Sequence, residues 1–236
     1  APHLVDDAGE NVKSNGNGGL SGWPNDKYIN IWTVNSIASS GTGTTLGYAF
    51  LPYNNWGAGH GILNRHDRVG RIGTAAQNGG RTLTHEMGHI CGLLHTFQNG
   101  CHSGACSNSG DFVCDTPPAE QLFSCNSSNN TCTNVPSGDF FGFDAFDQNE
   151  NHMAYSNCRV MFTEGQKTLM HSVFTSIPNF VSITSQSNLI ATGVLEPDEI
   201  CQAEFMSDNQ IVCIGQTVNF MDNSFHGPTS WSWDFP

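Results

Sequence analysis

Three histidines in one short stretch carry the strongest chemical signal in the chain. His85 and His89 lie four residues apart, so a helix would present both imidazoles on one face, one turn apart. Glu86 follows the first and could reach a metal-bound water without itself binding the metal. Gly92 tolerates the positive φ of a sharp helix end, and that turn can bring back His95 as a third ligand. Three protein ligands with an open fourth position are the arrangement of catalytic zinc.

The complete spacing, His-Glu-x-x-His-x-x-Gly-x-x-His over residues 85–95, is the metzincin signature, and the chain resembles that clan of zinc endopeptidases. The alternative is an amphipathic helix that happens to carry three unrelated histidines. Five fixed residue types at fixed positions make this coincidence rare, whereas the shorter His-Glu-x-x-His would be weak evidence. The sequence therefore predicts one catalytic zinc ion held by the three histidines.

The composition excludes several classes of protein. With 37% hydrophobic and 12% charged residues among 236, the chain can bury a core and does not resemble a disordered segment. Its net charge of −13 argues against nucleic acid as a partner, because phosphate binding needs a basic surface. No apolar run approaches the ~18 residues of a membrane-spanning helix, so we expect no membrane span.

The cysteines indicate an oxidising compartment. Cys91 lies among apolar residues of the zinc helix, where we expect a buried free thiol. The other eight are Cys101, Cys106, Cys114, Cys125, Cys132, Cys158, Cys201 and Cys213. Their even number is compatible with disulfides in a secreted protein. A cysteine-based zinc module is the alternative, but it needs paired Cys-x-x-Cys spacing, and none occurs.

The elements that must position the histidines can be predicted from periodicity. Residues 28–34 alternate and are rich in β formers, which predicts a strand, and residues 46–51 predict a second. Residues 60–64 predict a short third strand at the sheet edge above the cleft, where it could pair with an extended substrate. Thr163 begins a capping-box pattern, so we expect a helix that ends before Pro178.

The segment 98–138 shows no periodicity and is rich in turn residues. A loop of this length in a compact domain is usually functional or held by cross-links. Within it, residues 111–116 bring side-chain and backbone oxygens close together, as a hard cation such as calcium requires. A solvated acidic turn explains the same spacing equally well.

The C-terminal part differs from the rest of the chain in composition and in its pattern of apolar residues. Residues 185–199 are rich in Ser, Thr and Asn and predict a linker. Residues 200–236 contain short alternating stretches, at 203–205, 217–220 and 230–235, that predict an all-β module. Cys201 and Cys213 could join its first hairpin by a disulfide.

A closer resemblance covers residues 27 to 175, which resemble the pappalysin family of metzincins, as represented by its secreted bacterial members. The stretches that carry it are Lys27-Tyr28-Ile29-Asn30-Ile31-Trp32, Arg81-Thr82-Leu83-Thr84, His95-Thr96-Phe97, Asp115-Thr116-Pro117 and Asn151-His152-Met153-Ala154-Tyr155-Ser156. The resemblance implies an α+β fold, in which a twisted sheet and the active-site helix lie over a loop-rich, disulfide-bonded C-terminal subdomain. It also implies protein or peptide substrates.

The resemblance implies a role for several residues. The three histidines would bind zinc, and Glu86 would be the general base. Met153 would form the Met-turn beneath the metal site, and Tyr155 would stabilise the developing oxyanion. A calcium ion at the Asp-x-x-x-x-Thr stretch would bind Asp111 and Thr116.

The disulfides follow from the same resemblance. The two that the family shares correspond here to Cys101–Cys132 and Cys125–Cys158. Cys106 and Cys114 are additional and would pair with each other.

Two parts of the chain depart from the expected domain. Metzincins begin with a strand and a long backing helix, and nothing before Lys27 can form that helix, so both ends look cut. Residues 200–236 resemble the start of a polycystic-kidney-disease-type (PKD) immunoglobulin-like domain, although such sandwiches need around 80–100 residues. We therefore expect a catalytic domain over 1–184 without its N-terminal part, a linker over 185–199 and an incomplete β-sandwich over 200–236.

Two further expectations concern activity. The segment after the Met-turn lines the S1′ pocket in metzincins, and here residues 157–159 supply no carboxylate, so we expect no preference for basic side chains. The main alternative to a monomeric secreted endopeptidase is an inactive metzincin scaffold that acts as a binding or adhesion protein. The intact Glu86 argues against it, because metal binding alone does not need that carboxylate.

Overall fold

The structure is a computed structural model. It describes residues 5–6, 11–38, 44–53, 57, 59–76, 79–133, 140–195, 205–208, 215–222 and 230–232. The chain forms two compact units, residues 1–188 and residues 189–236. None of the helices in these ranges is long and apolar enough to cross a membrane.

A three-stranded sheet forms the frame of the first unit. Strand β2 (Asn30–Val34) runs parallel to β5 (Gly61–Arg65), and β4 (Gly47–Ala49) pairs with β5 antiparallel. A separate parallel pair joins β1 (Val5–Asp6) to β3 (Ser36–Ile37). The predicted strands over 28–34 and 46–51 are therefore confirmed, although both are shorter than their patterns.

The third predicted strand occupies a different position in the sheet from the edge position that we expect from its sequence. β5 lies at the centre of the sheet, in the order β2-β5-β4, and its residues 61–64 are buried. The reason is that Ile62 and Leu63, adjacent in sequence, point to opposite faces, and each enters a different hydrophobic cluster. The two outer strands of this sheet, as described, are β2 and β4, so the prediction that the strand at 60–64 forms the edge is wrong.

The two faces of the sheet carry separate cores. On one face, Leu63 packs with Trp32, Val34, Ile37 and Val12. On the other face, Ile62 packs with residues of three helices, namely Ile90, Val173 and Phe180. The helix that carries the histidines is thus held against the sheet by buried apolar contacts on its inner side.

The first of these helices, α1, covers Thr82–Ile90, and the chain turns at Gly92, whose φ is 92°. The second, α2, covers Glu164–Ser176 and begins with both hydrogen bonds of a capping box, between Thr163 and Gln166. It ends before Pro178, as predicted. Two short helices follow, α3 (Pro178–Ile183) and α4 (Gln186–Ala191).

The segment between α1 and α2 contains little regular structure where it is described. A 3-10 turn at Cys106–Asn108 is one of its few regular elements. Three disulfides join Cys101 to Cys132, Cys106 to Cys114, and Cys125 to Cys158, which are the pairings that the resemblance implies. Cys91 is a buried free thiol, as expected. Cross-links thus take the place of regular structure in this part of the domain.

The C-terminal unit contains one hairpin in its described residues. β6 (Phe205–Ser207) pairs antiparallel with β7 (Phe220–Asp222). Residues 230–232 are not in a strand, and residues 233–236 lie outside the described ranges. The predicted Cys201–Cys213 disulfide lies outside them too. Helix α4 lies within the stretch 185–199 that composition suggests is a linker.

Candidate active site

The three histidines of the motif converge on one point. The Nε2 atoms of His85 and His89 are 3.2 Å apart, and the Nε2 atom of His95 is 3.1 Å from each. Nitrogens bound to a tetrahedral zinc at the usual ~2.0–2.1 Å lie about 3.3 Å apart. The triangle of nitrogens therefore fits one zinc ion.

Backbone carbonyls fix the tautomers of two of these rings. His85 Nδ1 lies 2.7 Å from the carbonyl oxygen of His152, and His89 Nδ1 lies 2.7 Å from that of Leu93. A carbonyl oxygen only accepts, so each Nδ1 must carry the hydrogen, which leaves a lone pair on each Nε2. Two facing lone pairs repel each other unless a cation lies between them, so the donors suit a metal.

The electrostatics of the site keep the imidazoles neutral. Burial, followed by the neighbouring imidazoles, lowers the pKa of His85 to about 2 and that of His95 to about 3. Burial also lowers the pKa of His89. Because only a neutral imidazole can bind a metal, these shifts favour the ligand form at neutral pH.

The sharp turn after α1 brings the third histidine back toward the other two. The backbone N–H of Leu93 donates to the carbonyl of Gly88 at 2.9 Å, which closes the turn around Gly92. His95 then stacks on Phe97, with ring centroids 4.6 Å apart and planes 9° from parallel. The role that the spacing predicts for Gly92 is therefore seen in its backbone.

Glu86 lies beside the three histidines, 5% exposed, in the wall of the same pocket. Burial raises the pKa of its carboxyl to about 8, and the nearby Arg159 guanidinium opposes this rise. β4 passes directly over the carboxyl at Gly47, where a Cβ would lie 3.1 Å from Glu86 Oε1. The absence of a side chain at residue 47 therefore gives Glu86 its space.

Met153 lies directly beneath α1. Its side chain is fully buried, and a Cβ on Gly88 would lie 2.4 Å from its sulfur. Its backbone N–H donates to Asn151 Oδ1 at 2.9 Å, and Asn151 in turn exchanges hydrogen bonds with Gln166 of the α2 capping box. The turn beneath the histidines is thus anchored to the start of α2.

Tyr155 packs against two of the three histidines. Its ring centroid is 4.8 Å from those of His95 and Phe97, and 5.6 Å from that of His85. Burial and then the Glu86 carboxylate raise the pKa of its phenol, which remains a hydrogen-bond donor. The hydroxyl is therefore available to a substrate that enters the pocket.

Comparison with known proteins agrees with this geometry. Residues 19–175 match the Peptidase M43 family model, described as pregnancy-associated plasma protein-A. The chain belongs to this family.

Relatives of this chain include proteins named as extracellular metalloproteases. An extracellular metalloprotease of Colletotrichum graminicola is 36% identical over 139 residues, which are 56% of this chain and 46% of that protein. One of Verticillium alfalfae is 35% identical over 160 residues, 64% of this chain and 50% of that protein. The chain thus spans about half the length of these relatives. Both are fungal, so they do not support the restriction to bacterial members.

A solved structure is also similar. Mature mirolysin of Tannerella forsythia in complex with a cleaved peptide has a TM-score of 0.59 and 28% identity. The match covers 80% of this chain and 66% of that one. The metzincin-type fold is therefore confirmed for the first unit, while nothing in the comparisons supports a PKD domain in the second.

The pocket in front of the histidines has a volume of about 670 Å³. β4 and the residues before it, from Thr44 to Ala49, form one wall. Gln98, Gln121 and Phe123, from the disulfide-bonded segment, lie on the rim. The pocket is therefore bounded on one side by β4, one of the two outer strands of the sheet.

Asp111 and Thr116 lie together, as the calcium prediction requires, but their side chains already form hydrogen bonds with each other. The Thr116 hydroxyl is 2.8 Å from both carboxylate oxygens of Asp111 and 2.7 Å from the carbonyl of Val113. Burial raises the pKa of Asp111 to about 7. Calcium binding by this M43 chain therefore stays a prediction.

Among the described residues, one other trio of possible metal donors exists, formed by Cys101, Glu120 and Cys132. Its two sulfurs are joined in a disulfide and are unavailable to a metal. The histidines are therefore the better metal site.

Sequence reasoning missed two residues that shape the site, Gly47 and Arg159. No local signal distinguishes Gly47 from other glycines, because its importance comes from its contact with Glu86, which lies 39 residues later in the sequence. Arg159 lies six residues after Met153. The resemblance drew attention to its segment, but only for the carboxylate that the segment lacks.

Proposed function

We propose that this chain is the catalytic part of a secreted, zinc-dependent endopeptidase that hydrolyses internal peptide bonds. The observation that supports it best is the convergence of three Nε2 atoms with lone pairs beside a buried carboxylate, in a pocket bounded by an edge strand. Membership in the M43 family and the names of the relatives support the same proposal. His85, His89 and His95 would hold the metal.

When bound there, zinc supplies Lewis-acid chemistry, which lowers the pKa of water toward ~7 and polarises a carbonyl. Glu86 acts as the general base: it takes a proton from the attacking water and delivers it to the leaving amine nitrogen. Burial raises the pKa of this carboxyl in the metal-free site, and the position of Glu86 beside the histidines suits the transfer of a proton from water to the leaving amine.

Tyr155 donates a hydrogen bond to the carbonyl oxygen as negative charge develops on it. Such oriented donors usually supply a large part of transition-state stabilisation. Phe97 and Phe123 hold the phenol ring from two sides, with centroids 4.8 and 5.9 Å away. The ring is therefore placed by packing before the substrate arrives.

The substrate binds as an extended chain along β4. No described strand pairs with the outer side of β4, and its residues line the pocket. Backbone pairing at a sheet edge recognises a peptide irrespective of most side chains. This favours cleavage within unfolded protein segments over small non-peptide substrates.

Several expectations from the sequence complete the proposal. The protein is secreted and acts as a monomer on protein substrates. Its catalytic domain covers 1–184, a linker covers 185–199, and residues 200–236 begin a PKD-like β-sandwich. Calcium binds at Asp111 and Thr116, and its binding should raise the melting temperature of the parent but not of Asp111→Asn.

The decisive experiment measures cleavage of denatured casein by the parent and by Glu86→Gln, with zinc content determined for both. Glu164→Gln is the matched control, because it makes the same change in an exposed carboxylate. We expect the parent and the control to cleave, and Glu86→Gln to lose at least about a thousandfold in rate while it keeps one zinc.

Two results would contradict the proposal. If Glu86→Gln keeps its zinc and most of its activity, Glu86 is not the base. If the parent holds zinc but cleaves nothing, the inactive binding scaffold becomes the better interpretation.

A further inference from the structure

One guanidinium in the pocket, that of Arg159, forms no ion pair with any acidic side chain that the structure describes. Arg159 lines the pocket with Glu86 and Tyr155 and is half-buried. Its Nη1 donates to the carbonyl of Ala154 at 3.4 Å, a long hydrogen bond. Its Nε is buried and has no hydrogen-bond partner among the described residues. None of the ion pairs formed within those residues includes Arg159.

Such an arrangement is costly for the free protein. Burial lowers the pKa of Arg159, because the charged form loses water, and Glu86 and Tyr155 offset only part of this loss. A buried polar hydrogen without an acceptor costs free energy that a ligand can recover. The guanidinium offers parallel N–H groups that fit the two oxygens of a carboxylate.

The surrounding charges strengthen the argument. The chain has 8 Lys and Arg residues against 21 Asp and Glu, so cations are scarce. Arg81, which precedes the pocket residue Thr82, and Arg159 both lower the pKa of His152. Two of the few cations therefore lie near His152, and no described carboxylate forms an ion pair with Arg159.

We propose that Arg159 is a specificity-determining residue that binds an Asp or Glu side chain of the substrate next to the scissile bond. This inference rests on the proposed peptidase function. It places the substrate carboxylate against the guanidinium while Glu86 stays free for proton transfer. The opposing possibility is that Arg159 acts only through Glu86, by holding down the pKa of that carboxyl.

The two roles differ in what they do to selectivity. A group that binds a substrate side chain changes the ratio of kcat/KM between two peptides that differ only in that side chain. If the group acts through the general base, its removal lowers kcat/KM for both peptides by the same factor. The ratio therefore separates the two roles.

The experiment uses pairs of internally quenched peptides that are identical except for Glu or Gln at one position. The substitution is moved across the positions on both sides of the cleaved bond. The enzymes are the parent, Arg159→Gln and Arg159→Glu, and the matched control is Arg71→Gln, which alters an exposed arginine outside the pocket. Zinc content and melting temperature are recorded for every variant.

We expect the parent to prefer Glu over Gln about tenfold at one position, the order of magnitude of a partly exposed charge-assisted contact. In Arg159→Gln the ratio of kcat/KM for the Glu peptide to that for the Gln peptide should fall to about one. With a third peptide that carries Lys at the same position, Arg159→Glu should prefer Lys over Glu. Arg71→Gln should keep the ratio of the parent. If Arg159→Gln does not fold, Arg159→Lys and a salt titration of the parent replace it, and the Glu preference should shrink as ionic strength rises.

A parent that cleaves the Gln and Glu peptides equally at every position would overturn the inference and leave the peptidase function intact. An unchanged Glu-to-Gln ratio in Arg159→Gln would also overturn the inference. If that variant does not fold, a preference of the parent for Glu that does not weaken with added salt would overturn the inference instead. A parent that cleaves neither peptides nor casein would refute the proposed function, and the inference with it.

Discussion

The replacement Gly47→Ala tests whether the edge strand sets the position of the general base. The added methyl group would lie 2.8 Å from Asn64 Oδ1 and 3.1 Å from both Cγ and Oε1 of Glu86. Contacts of this kind normally require ~3.4 Å or more, so the carboxylate must move by a few tenths of an ångström. Asn64 cannot yield freely, because it is fully buried and its amide donates to the carbonyl of Arg65 at 2.9 Å.

The size of the effect follows from this displacement. A misplacement of about 1 Å in a catalytic group can cost about a hundredfold in rate, so a shift of roughly half that distance should lower kcat/KM about tenfold. The crowding should also cost about 1–3 kcal/mol of stability, as overpacking usually does. Zinc binding should be unchanged, because the nearest atoms that the added methyl would meet belong to Asn64 and Glu86 and not to the three histidines.

The assay compares kcat/KM on a quenched peptide, the zinc content and the urea midpoint of the parent and Gly47→Ala. Gly16→Ala is the matched control, because a Cβ there meets only Ser14 Oγ, at 3.6 Å. We expect the control to behave as the parent does. Parental kcat/KM in a folded, zinc-loaded Gly47→Ala would show that β4 does not constrain Glu86 and would refute the argument.

Four further predictions concern other parts of the site. Tyr155→Phe should lower kcat about ten- to a hundredfold with little change in KM, and equal losses in both Tyr155→Phe and an exposed control, Tyr53→Phe, would contradict this. Gly88→Ala should lower the free energy of unfolding by about 1–3 kcal/mol in urea titrations, because its Cβ would meet the buried Met153 sulfur. Thr163→Ala should cost about 1–2 kcal/mol, since it removes an N-cap that also bonds to Asp115, and an unchanged urea midpoint would contradict this. The metal-free protein should lose stability as pH falls below about 6.5. In the unfolded chain the histidines take up protons there, whereas in the folded chain the pKa values of His85 and His95 are lowered to about 2 and about 3, so both stay neutral. Urea midpoints measured above and below about pH 6.5 test the direction of this change.

The zinc helix and the capped helix α2 could be predicted because their signals are local. His85 and His89 are placed on one face by the helix itself, and Gly92 ends that helix by a backbone preference that belongs to the residue. Thr163 and Gln166 form their capping box within one turn of chain. None of these features needs information about distant residues.

The family resemblance extended this local information to the loop. It implied that Met153 and Tyr155 would meet the histidines, and it implied the three disulfides that the described segment contains. Periodicity and spacing alone could not have paired those cysteines, because eight cysteines allow 105 arrangements.

Only the tertiary structure decided which strands lie at the edges of the sheet and which side chains enclose the pocket. The sequence places Ile62 and Leu63 in a strand, but the partners on both sides of that strand come from residues 30–34 and 47–49. Gly47 and Arg159 come from segments that are far apart in the sequence, yet both lie near Glu86 in the folded chain, and neither carries a motif. Ligand spacing on a helix is thus set within a turn of chain, whereas the space and charge around the ligands are set by contacts between residues far apart in the sequence.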